Sequence, residues 1–286
     1  MSKKLYWTIG ILFCISIVLW TRILSASEIS YPEVLFLPVG QGDSELIRVG
    51  DVTMLIDAGP SQGISSILDG IIGAGKRIDL VFVSHGDSDH VSGLSSILAS
   101  RSVGAIMYSG TSTVLLDELF ARAREQHVPV FTLSAGDRVS YASSTIEVLW
   151  PMRTVEAMSR NDTSLILAFH ANEDCALFTG DIGFETEKDL ITQYGNAIDC
   201  DVLKIAHHGS KLSSSAQFLN AVSPAVSIIE VGKNSYGHPT PEVLARLAKA
   251  GSGIWRTDQD GLVRVILKPY SLSISPSRCE TTNTCE

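Results

Sequence analysis

Residues 78–90 read IDLVFVSHGDSDH, so an apolar run ends abruptly on two histidines and two aspartates. The apolar part predicts a buried strand, and loops at strand ends are where polar side chains converge without disturbing a core. Imidazole and carboxylate groups at alternating positions suit divalent cations. His85 and Asp87 can face one way while Asp89 and His90 face another, which predicts two adjacent metal sites. The alternative is a solvated loop that caps the following helix.

Other strand ends in the chain carry residues of the same kinds. Five of the seven histidines fall in such loops, which makes a metal centre a better interpretation than helix capping. A bridging carboxylate holds two cations about 3.5–4 Å apart, the separation used in two-metal hydrolysis. Asp181 is the candidate for that bridge. The further loops are GQGDS at Gly40–Ser44, IDAG with Asp57, TGD with Asp181, AHHGS with His207 and His208, and YGHP with His238.

Length and composition limit the classes of protein to which this chain can belong. The 286 residues suffice for one large domain or two small ones, and a hydrophobic fraction of 45% allows a sizeable core. The formal net charge of −9 argues against broad, non-specific adhesion to nucleic acid, although a locally basic cleft stays compatible with it. The absence of a repeat with a period of 20–50 residues makes a solenoid a poor interpretation.

The first thirty residues form a separate segment. Lys3 and Lys4 precede an apolar run from Leu5 to Trp20, and a helix of that length just spans a bilayer core. The positive charges predict that the start stays cytoplasmic. Residues 1–30 therefore predict a single-pass membrane anchor with an extracytoplasmic catalytic domain. The alternative is a cleaved signal peptide, with small residues at Ser25–Ser27, and secretion of the mature protein.

The cysteines predict little by their spacing. Cys175 lies in the strand-like run CALFTG, where a buried, inert thiol is the expectation, and Cys200 comes just before another strand. Cys279 and Cys285 flank the polar tail of residues 276–286. A disulfide that closes this tail outside the cell and two unpaired thiols both stay open.

Strand-like and helical stretches alternate through residues 31–275, with a cluster of strands opening each half. This order predicts an α/β fold of the αββα sandwich type: two mixed β-sheets packed face to face, with helices on the outer faces. Residues 112–126 read STVLLDELFARAREQ and predict an amphipathic outer helix. Since no linker interrupts the body, one αββα domain is expected over residues 31–275.

Six stretches between Leu37 and Leu247 carry the pattern of the body: LPVGQGDSELIRVGDVTMLIDAG, VFVSHGDSDHVSGL, NDTSLIL, LFTGDI, VLKIAHHGS and NSYGHPTPEVLARL. In this order they resemble the metallo-β-lactamase fold superfamily, and within it the exported hydrolase domain of ComEC-type competence proteins. The resemblance implies an αββα fold, a two-metal centre and hydrolytic chemistry, together with one hydrolase domain over residues 31–275. For the ComEC branch it implies DNA hydrolysis during uptake.

The resemblance also implies roles for individual residues. The implied metal ligands are His85 and Asp87 at one cation, Asp89, His90 and His208 at the other, and Asp181 as the bridge. His207 and His238 would face the substrate, although the two adjacent histidines could have the opposite roles. Asp57 takes the position of an acid that orients the metal loop. Asp43 is either similar or a turn former beside Gly42.

Two departures from the commonest superfamily pattern concern the metals. Asp87 stands where the motif HxHxDH has its second histidine, and the region Arg160–Ser164 lacks the histidine expected before the bridging aspartate. The ComEC branch shares both changes. The resemblance implies two divalent cations, Zn²⁺ or Mn²⁺ with Mg²⁺ as a further option, and the oxygen-rich first site favours Mn²⁺ or Mg²⁺.

The leading hypothesis is a phosphodiesterase acting on single-stranded or duplex DNA. The metals would neutralise charge on the phosphoryl oxygens, and Asp89 would help to orient the attack. The alternative substrates are a cell-wall phosphodiester, a lactone or a β-lactam. A further alternative is that the protein has no catalytic activity and is a metal-binding partner of a separate DNA-uptake channel protein. Four residues near the histidine loops are predicted to hold phosphate, with ordinary loop solvation as the other interpretation: Ser210, Lys211, Lys233 and Asn234.

Overall fold

The computed structural model describes residues 7, 10–17, 20, 31–152 and 159–277. Contacts divide the chain into two units, Met1–Tyr31 and Pro32–Glu286. Residues 10–17 of the first unit are helical. Within the described residues, no helix is long and apolar enough to cross a membrane. Most of the predicted anchor, and also Cys279 and Cys285, lie outside the described residues.

Two mixed β-sheets form the body of the second unit, which confirms the predicted fold. The first sheet has the order β15-β14-β1-β2-β3-β4-β5-β6. Its strands from β3 to β6 are parallel to one another, and the others pair antiparallel. The bounds are β1 Glu33–Phe36, β2 Glu45–Val49, β3 Val52–Ile56, β4 Ile78–Val83, β5 Val103–Tyr108, β6 Val130–Thr132, β14 Leu262–Lys268 and β15 Ser271–Ser277.

The second sheet has the order β13-β12-β11-β10-β9-β8-β7. Here the strands from β10 to β13 are parallel, and β7 to β10 pair antiparallel. Each sheet therefore has one parallel half, whose strands all end at the same edge. The bounds are β7 Arg138–Tyr141, β8 Ser144–Trp150, β9 Ile166–Ala171, β10 Asp174–Phe178, β11 Val202–Lys204, β12 Val226–Ile229 and β13 Gly253–Arg256.

Alternation along the strands builds the layers. In β1 and the residue after it, Val34 and Phe36 belong to the apolar layer between the sheets, while Leu35 and Leu37 pack under helices. The ring centroids of Phe36 and Phe178 lie 6.1 Å apart across the two sheets. Burying both faces of the sheets leaves the strand ends as the place where polar groups can gather.

Helices cover the outer face of each sheet. Apolar residues of α1, α3 and α4 pack on the first sheet, and those of α5, α6 and α7 pack on the second. The bounds are α1 Ile64–Ile72, α2 Ser88–Val91, α3 Leu94–Ser100, α4 Val114–Glu125, α5 Phe184–Tyr194, α6 Ala216–Val222, α7 Pro241–Ala250 and α8 Thr257–Asp260. The sequence patterns did not indicate β6 and β7. Both are short edge strands with largely exposed residues, so neither carries an apolar run.

The expectation of an inert thiol at Cys175 is wrong, because Cys175 and Cys200 form a disulfide. Cys175 lies in β10, and Cys200 comes shortly before β11. These two strands are parallel neighbours in which Ala176 lies opposite Val202. The two Cα atoms are therefore 4.6 Å apart although 25 positions separate them in the chain. Spacing alone does not reveal that adjacency. The disulfide therefore links β10, which Asp181 follows, to the residues just before β11, which His207 and His208 follow.

Candidate metal centre

The loops that carry the candidate metal ligands follow the strands of the two parallel halves, at the ends that meet at one edge of the sandwich. Asp57 follows β3, residues 84–90 follow β4, Asp181 follows β10, and His207 and His208 follow β11. Sharp turns aim the side chains inward: Asp57, His207 and His208 have φ values of 53°, 52° and 52°. Non-glycine residues with this left-handed backbone are uncommon and cluster at functional sites.

Overlapping groups of ligand atoms result, and two of them involve the loop that follows β4 together with Asp181 or His208. His85, His90 and Asp181 bring three such atoms within 4.8 Å of one another, and so do Asp89, His90 and His208. The separations are 3.4 Å from His90 Nε2 to Asp181 Oδ2 and 3.3 Å from His208 Nε2 to Asp89 Oδ2. Ligand atoms around a tetrahedral cation bound at 2.0–2.2 Å lie roughly 3.3–3.6 Å apart, so these distances fit a divalent cation.

Unused polar atoms support the same fit. His85 Nε2 and His90 Nε2 are buried and have no hydrogen-bond partner among the described residues. The nearest carboxylate to His85 Nε2 is Asp87 Oδ2 at 3.7 Å. Buried polar atoms normally find a partner, so two ring nitrogens aimed at carboxylates point to an ion between them. A mixed nitrogen and oxygen donor set suits Zn²⁺ or Mn²⁺.

Asp57 holds the central histidine from behind. Its Oδ2 lies 2.7 Å from His90 Nδ1, and its Oδ1 accepts a 2.8 Å bond from the backbone N–H of Ser84. The Ser84 hydroxyl also donates to Asp57. Burial alone would lower the pKa of His90, but the charges of Asp181 and Asp57 raise that pKa well above its usual value. The same negative charges stabilise either a proton or a metal cation at Nε2 of His90. A histidine whose other ring nitrogen contacts a carboxylate is a common metal ligand.

The two adjacent histidines differ in environment. His208 is buried, and its Nδ1 lies 2.9 Å from the backbone oxygen of Glu230, so its Nε2 turns toward Asp89 and Asp181. The His207 side chain is 38% exposed, and its Nε2 lies 3.9 Å from Asp181 Oδ2. Its ring centroid is 5.7 Å from that of His238. Burial lowers the pKa of both His207 and His238, which favours neutral rings.

A buried ion pair lies under the centre, and the sequence motifs did not reveal its cation. Lys204 and Asp43 are each 1% exposed and form an ion pair between the two sheets. Lys204 Nζ also donates a 3.0 Å bond to the Gly180 oxygen and lies 3.9 Å from Asp181 Oδ1. Asp43 Oδ1 is 3.2 Å from His208 Nδ1. Asp43 is thus packed against the centre. The available signal was a lysine inside the apolar run VLKIA.

The open side of the centre is a pocket of about 220 Å³. Its wall includes His207, His238, Asn161 and Tyr236. The Tyr236 side is open to solvent, with this residue 74% exposed and its ring centroid 5.8 Å from that of His238. This volume is large enough for a phosphate group at the metal edge.

The four residues predicted to hold phosphate do not line this pocket. The side-chain amide of Asn234 donates to the Gly232 and His238 oxygens and accepts from the Tyr236 and His238 N–H groups, so all of its capacity shapes its own loop. Ser210 is buried and accepts from Leu212 N. Lys211 and Lys233 are exposed outside the lining.

Sequence reasoning also missed Arg160 as a functional candidate. Arg160 NH1 lies 2.9 Å from Asp87 Oδ1, so a cation reaches the metal loop from the segment that replaces the absent histidine. The contact with His85 contributes most to lowering the pKa of Asp87, burial opposes the change, and Arg160 lowers it further. The only signal was the position of Arg160 directly before NDTS.

Comparison with known proteins agrees with this geometry. The sequence model of the family described as "Metallo-beta-lactamase superfamily" matches residues 37–232 of this chain. The matched residues include the loops that follow β3, β4, β10 and β11. The chain belongs to the metallo-beta-lactamase superfamily. Members of this fold bind divalent metals, and a metal-dependent hydrolase is the class that the fold and the ligand cluster support.

Relatives within the superfamily include competence proteins, as the resemblance predicted. The chain is 32% identical over 257 residues to "Competence protein ComA" of Neisseria gonorrhoeae, covering 86% of this chain and 35% of the relative. It is 29% identical over 254 residues to "ComE operon protein 3" of Bacillus subtilis, covering 81% and 32%. The chain spans about a third of the length of the curated relatives that it matches.

Among solved structures, the metallo-beta-lactamase fold protein YhfI from Bacillus subtilis has a TM-score of 0.58 at 13% identity. The match covers 80% of this chain and 97% of YhfI. At this identity the likeness concerns the fold alone. It agrees with the sandwich of two mixed sheets described above.

Proposed function

We propose that this protein is a two-metal phosphodiesterase that cleaves nucleic acid outside the cytoplasm. The observation that carries the proposal is the convergence of five candidate ligands at one edge of the sandwich: His85, Asp89, His90, Asp181 and His208. Named competence relatives support DNA as the substrate. Two bound cations would supply Lewis acidity and a charge-neutralising clamp for a phosphoryl group.

The residues of the chain divide between holding cations and handling the substrate. His85, Asp87, Asp89, His90 and His208 hold the cations, with Asp181 between them. The convergence of all of these except Asp87 supports the assignment, and Asp87 Oδ2 lies 3.7 Å from His85 Nε2. His207 and His238 stand on the open side of the centre. Because burial lowers the pKa of both rings, each is a neutral hydrogen-bond donor to a phosphate oxygen near pH 7.

An oxidising compartment is part of the proposal. The disulfide between Cys175 and Cys200 supports it, because disulfides persist mainly outside the reducing cytosol. We propose that residues 1–30 anchor the protein and that the hydrolase domain faces outward, where it works beside a DNA-uptake channel protein. Protease added to intact cells is expected to remove the domain. A domain fully protected until the cells are opened would contradict this location, and its release into the medium would favour signal cleavage.

The activity is tested with the purified full chain and a panel of substrates. Single-stranded DNA, duplex DNA, bis-(p-nitrophenyl) phosphate, a lactone and nitrocefin are each assayed with Mn²⁺, Mg²⁺ and Zn²⁺. We expect cleavage of the phosphodiesters and none of the other two. Asp181→Asn should lose metal and at least ~10²-fold in turnover, the scale of losing a key electrostatic stabiliser. Asp174→Asn, at the opposite end of β10, is the matched control. Activity on nitrocefin alone would overturn the proposal.

A further inference from the structure

A second cavity lies beside the metal pocket, on the outer side of the loop that follows β4. This outer groove has a volume of about 640 Å³ and is lined by residues 86–89, by Thr113–Leu115 at the start of α4, and by Arg160. Asp87 and Asp89 line both the outer groove and the metal pocket. A chain-like ligand whose phosphate lies at the metals can therefore continue directly into the outer groove.

The charges along this path are uneven. Asp87, Asp89 and Asp181 supply carboxylates, and among the described residues that line either cavity Arg160 is the only arginine or lysine. The chain as a whole carries a net charge of −9. Within these two cavities, an anionic group that lies away from the metals can therefore pair with only one lysine or arginine side chain among the described residues, that of Arg160. That partner differs from Lys211 and Lys233, the cations that the sequence suggested.

Arg160 is held at its backbone and open at its tip. Its carbonyl oxygen accepts from the Thr163 N–H at 3.1 Å and from Thr163 Oγ1 at 2.7 Å, which fixes the start of a short 3₁₀ turn. The ion pair with Asp87 engages NH1, and the side chain is 63% exposed. A guanidinium group has five N–H donors in a planar fork that matches phosphate, so donors remain for a second anion.

We propose that the outer groove is a subsite for a second phosphate of a polymeric substrate and that Arg160 is the residue that binds it. The inference rests on the proposed function, and it adds that the enzyme prefers a polynucleotide to a small diester. One guanidinium contacts both a metal-binding carboxylate and the neighbouring phosphate, which aligns the backbone of the polymer with the metal pair.

The test compares Arg160→Gln and Arg160→Lys with Arg138→Gln in the full chain. Arg138 is a matched control because it forms a 2.8 Å ion pair with Glu147 and is also 63% exposed, on the edge strand β7, and it lines neither the outer groove nor the metal pocket. The substrates are bis-(p-nitrophenyl) phosphate and a fluorescent single-stranded DNA of about ten nucleotides, a length that one small domain can cover. Metal content is measured for each variant.

For Arg160→Gln we expect KM for the oligonucleotide to rise about 10-fold, the effect of losing one charge-assisted bond. The ratio of kcat/KM between the oligonucleotide and the small diester should fall by a similar factor. Arg160→Lys should lie between wild type and Arg160→Gln, and Arg138→Gln should leave the ratio unchanged. Equal losses on both substrates, or an unchanged ratio in Arg160→Gln, would overturn the subsite.

A binding measurement separates this inference from the proposed function. Fluorescence anisotropy of the same oligonucleotide is recorded without turnover, in the presence of EDTA and again with Ca²⁺. Binding that weakens about 10-fold in Arg160→Gln, in a protein that cleaves no phosphodiester, would keep the subsite and reject the proposed activity. If the protein cleaves phosphodiesters and Arg160→Gln binds the oligonucleotide as tightly as the wild type does, the subsite is rejected and the proposed activity is kept.

Discussion

Nδ1 of His208 lies 2.9 Å from the backbone oxygen of Glu230, and this contact turns Nε2 of His208 toward Asp89 and Asp181. The neighbouring His207 is partly exposed and lines the open pocket. Two histidines adjacent in the chain therefore differ in burial and in their hydrogen bonds, although the Nε2 atoms of both lie within 4 Å of Asp181 Oδ2. The backbone at both positions is left-handed, which sends the two rings in different directions.

We predict that His208→Ala loses bound metal, whereas His207→Ala keeps it and loses turnover by ~10²-fold, the usual scale for one proton-handling or hydrogen-bonding group. Mass spectrometry of the native proteins gives the metal content, and steady-state kinetics give the rate. His170→Ala, on the exposed face of β9, is the control. The opposite result for the two variants would exchange their roles.

The ion pair between Lys204 and Asp43 predicts a strong stability effect. Lys204→Met leaves the Asp43 carboxylate buried without its partner, which should lower the free energy of unfolding by about 3–5 kcal/mol. Combining it with Asp43→Asn removes the unpaired charge and should restore part of the loss. Urea unfolding in EDTA measures both, since lost metal then contributes nothing. Lys249→Met, exposed on α7, is the control. A double variant with a lower free energy of unfolding than Lys204→Met would contradict this prediction.

Protonation of His90 predicts how metal binding depends on pH. In the metal-free protein the pKa of His90 is raised, so its imidazolium stabilises the fold fully below the unfolded pKa of about 6.5, and this stabilisation is lost as pH rises through the folded pKa. A cation at Nε2 must displace that proton. The increase in Tm on adding Mn²⁺ should therefore be larger at alkaline than at acidic pH. A Tm increase that is independent of pH would show that no proton is exchanged.

The disulfide between Cys175 and Cys200 predicts a stability loss on its removal. Closing a loop of this length, with a separation of 25, restricts the unfolded chain and is worth about 3 kcal/mol. Cys175→Ala combined with Cys200→Ala should lower the free energy of unfolding by that amount, and so should reduction of the wild type. Maleimide labelling of protein taken from its natural location is the second measurement. Labelling of both thiols without prior reduction would contradict the bond.

Much of the fold and of the ligand set could be predicted from the sequence because the relevant residues stand in short contiguous runs. A strand followed at once by HGDSDH already brings four side chains to one strand end, and the loops with Asp181 and His208 repeat that arrangement. Parallel strands end at the same edge of a sheet, so the convergence of these loops follows from local patterns. The sandwich itself follows from alternating apolar positions such as Val34 and Phe36.

Only the tertiary structure decided the contacts between distant segments. Lys204 meets Asp43 across 161 positions, and Arg160 reaches Asp87 from the segment between β8 and β9, two strands of the other sheet. Asn234 looked free to bind phosphate, yet its own loop uses its amide completely. These contacts depend on strand order and on the packing of one sheet against the other, which no local pattern encodes. The chain alone therefore indicates which groups reach the metal edge, and the fold determines which charges surround them.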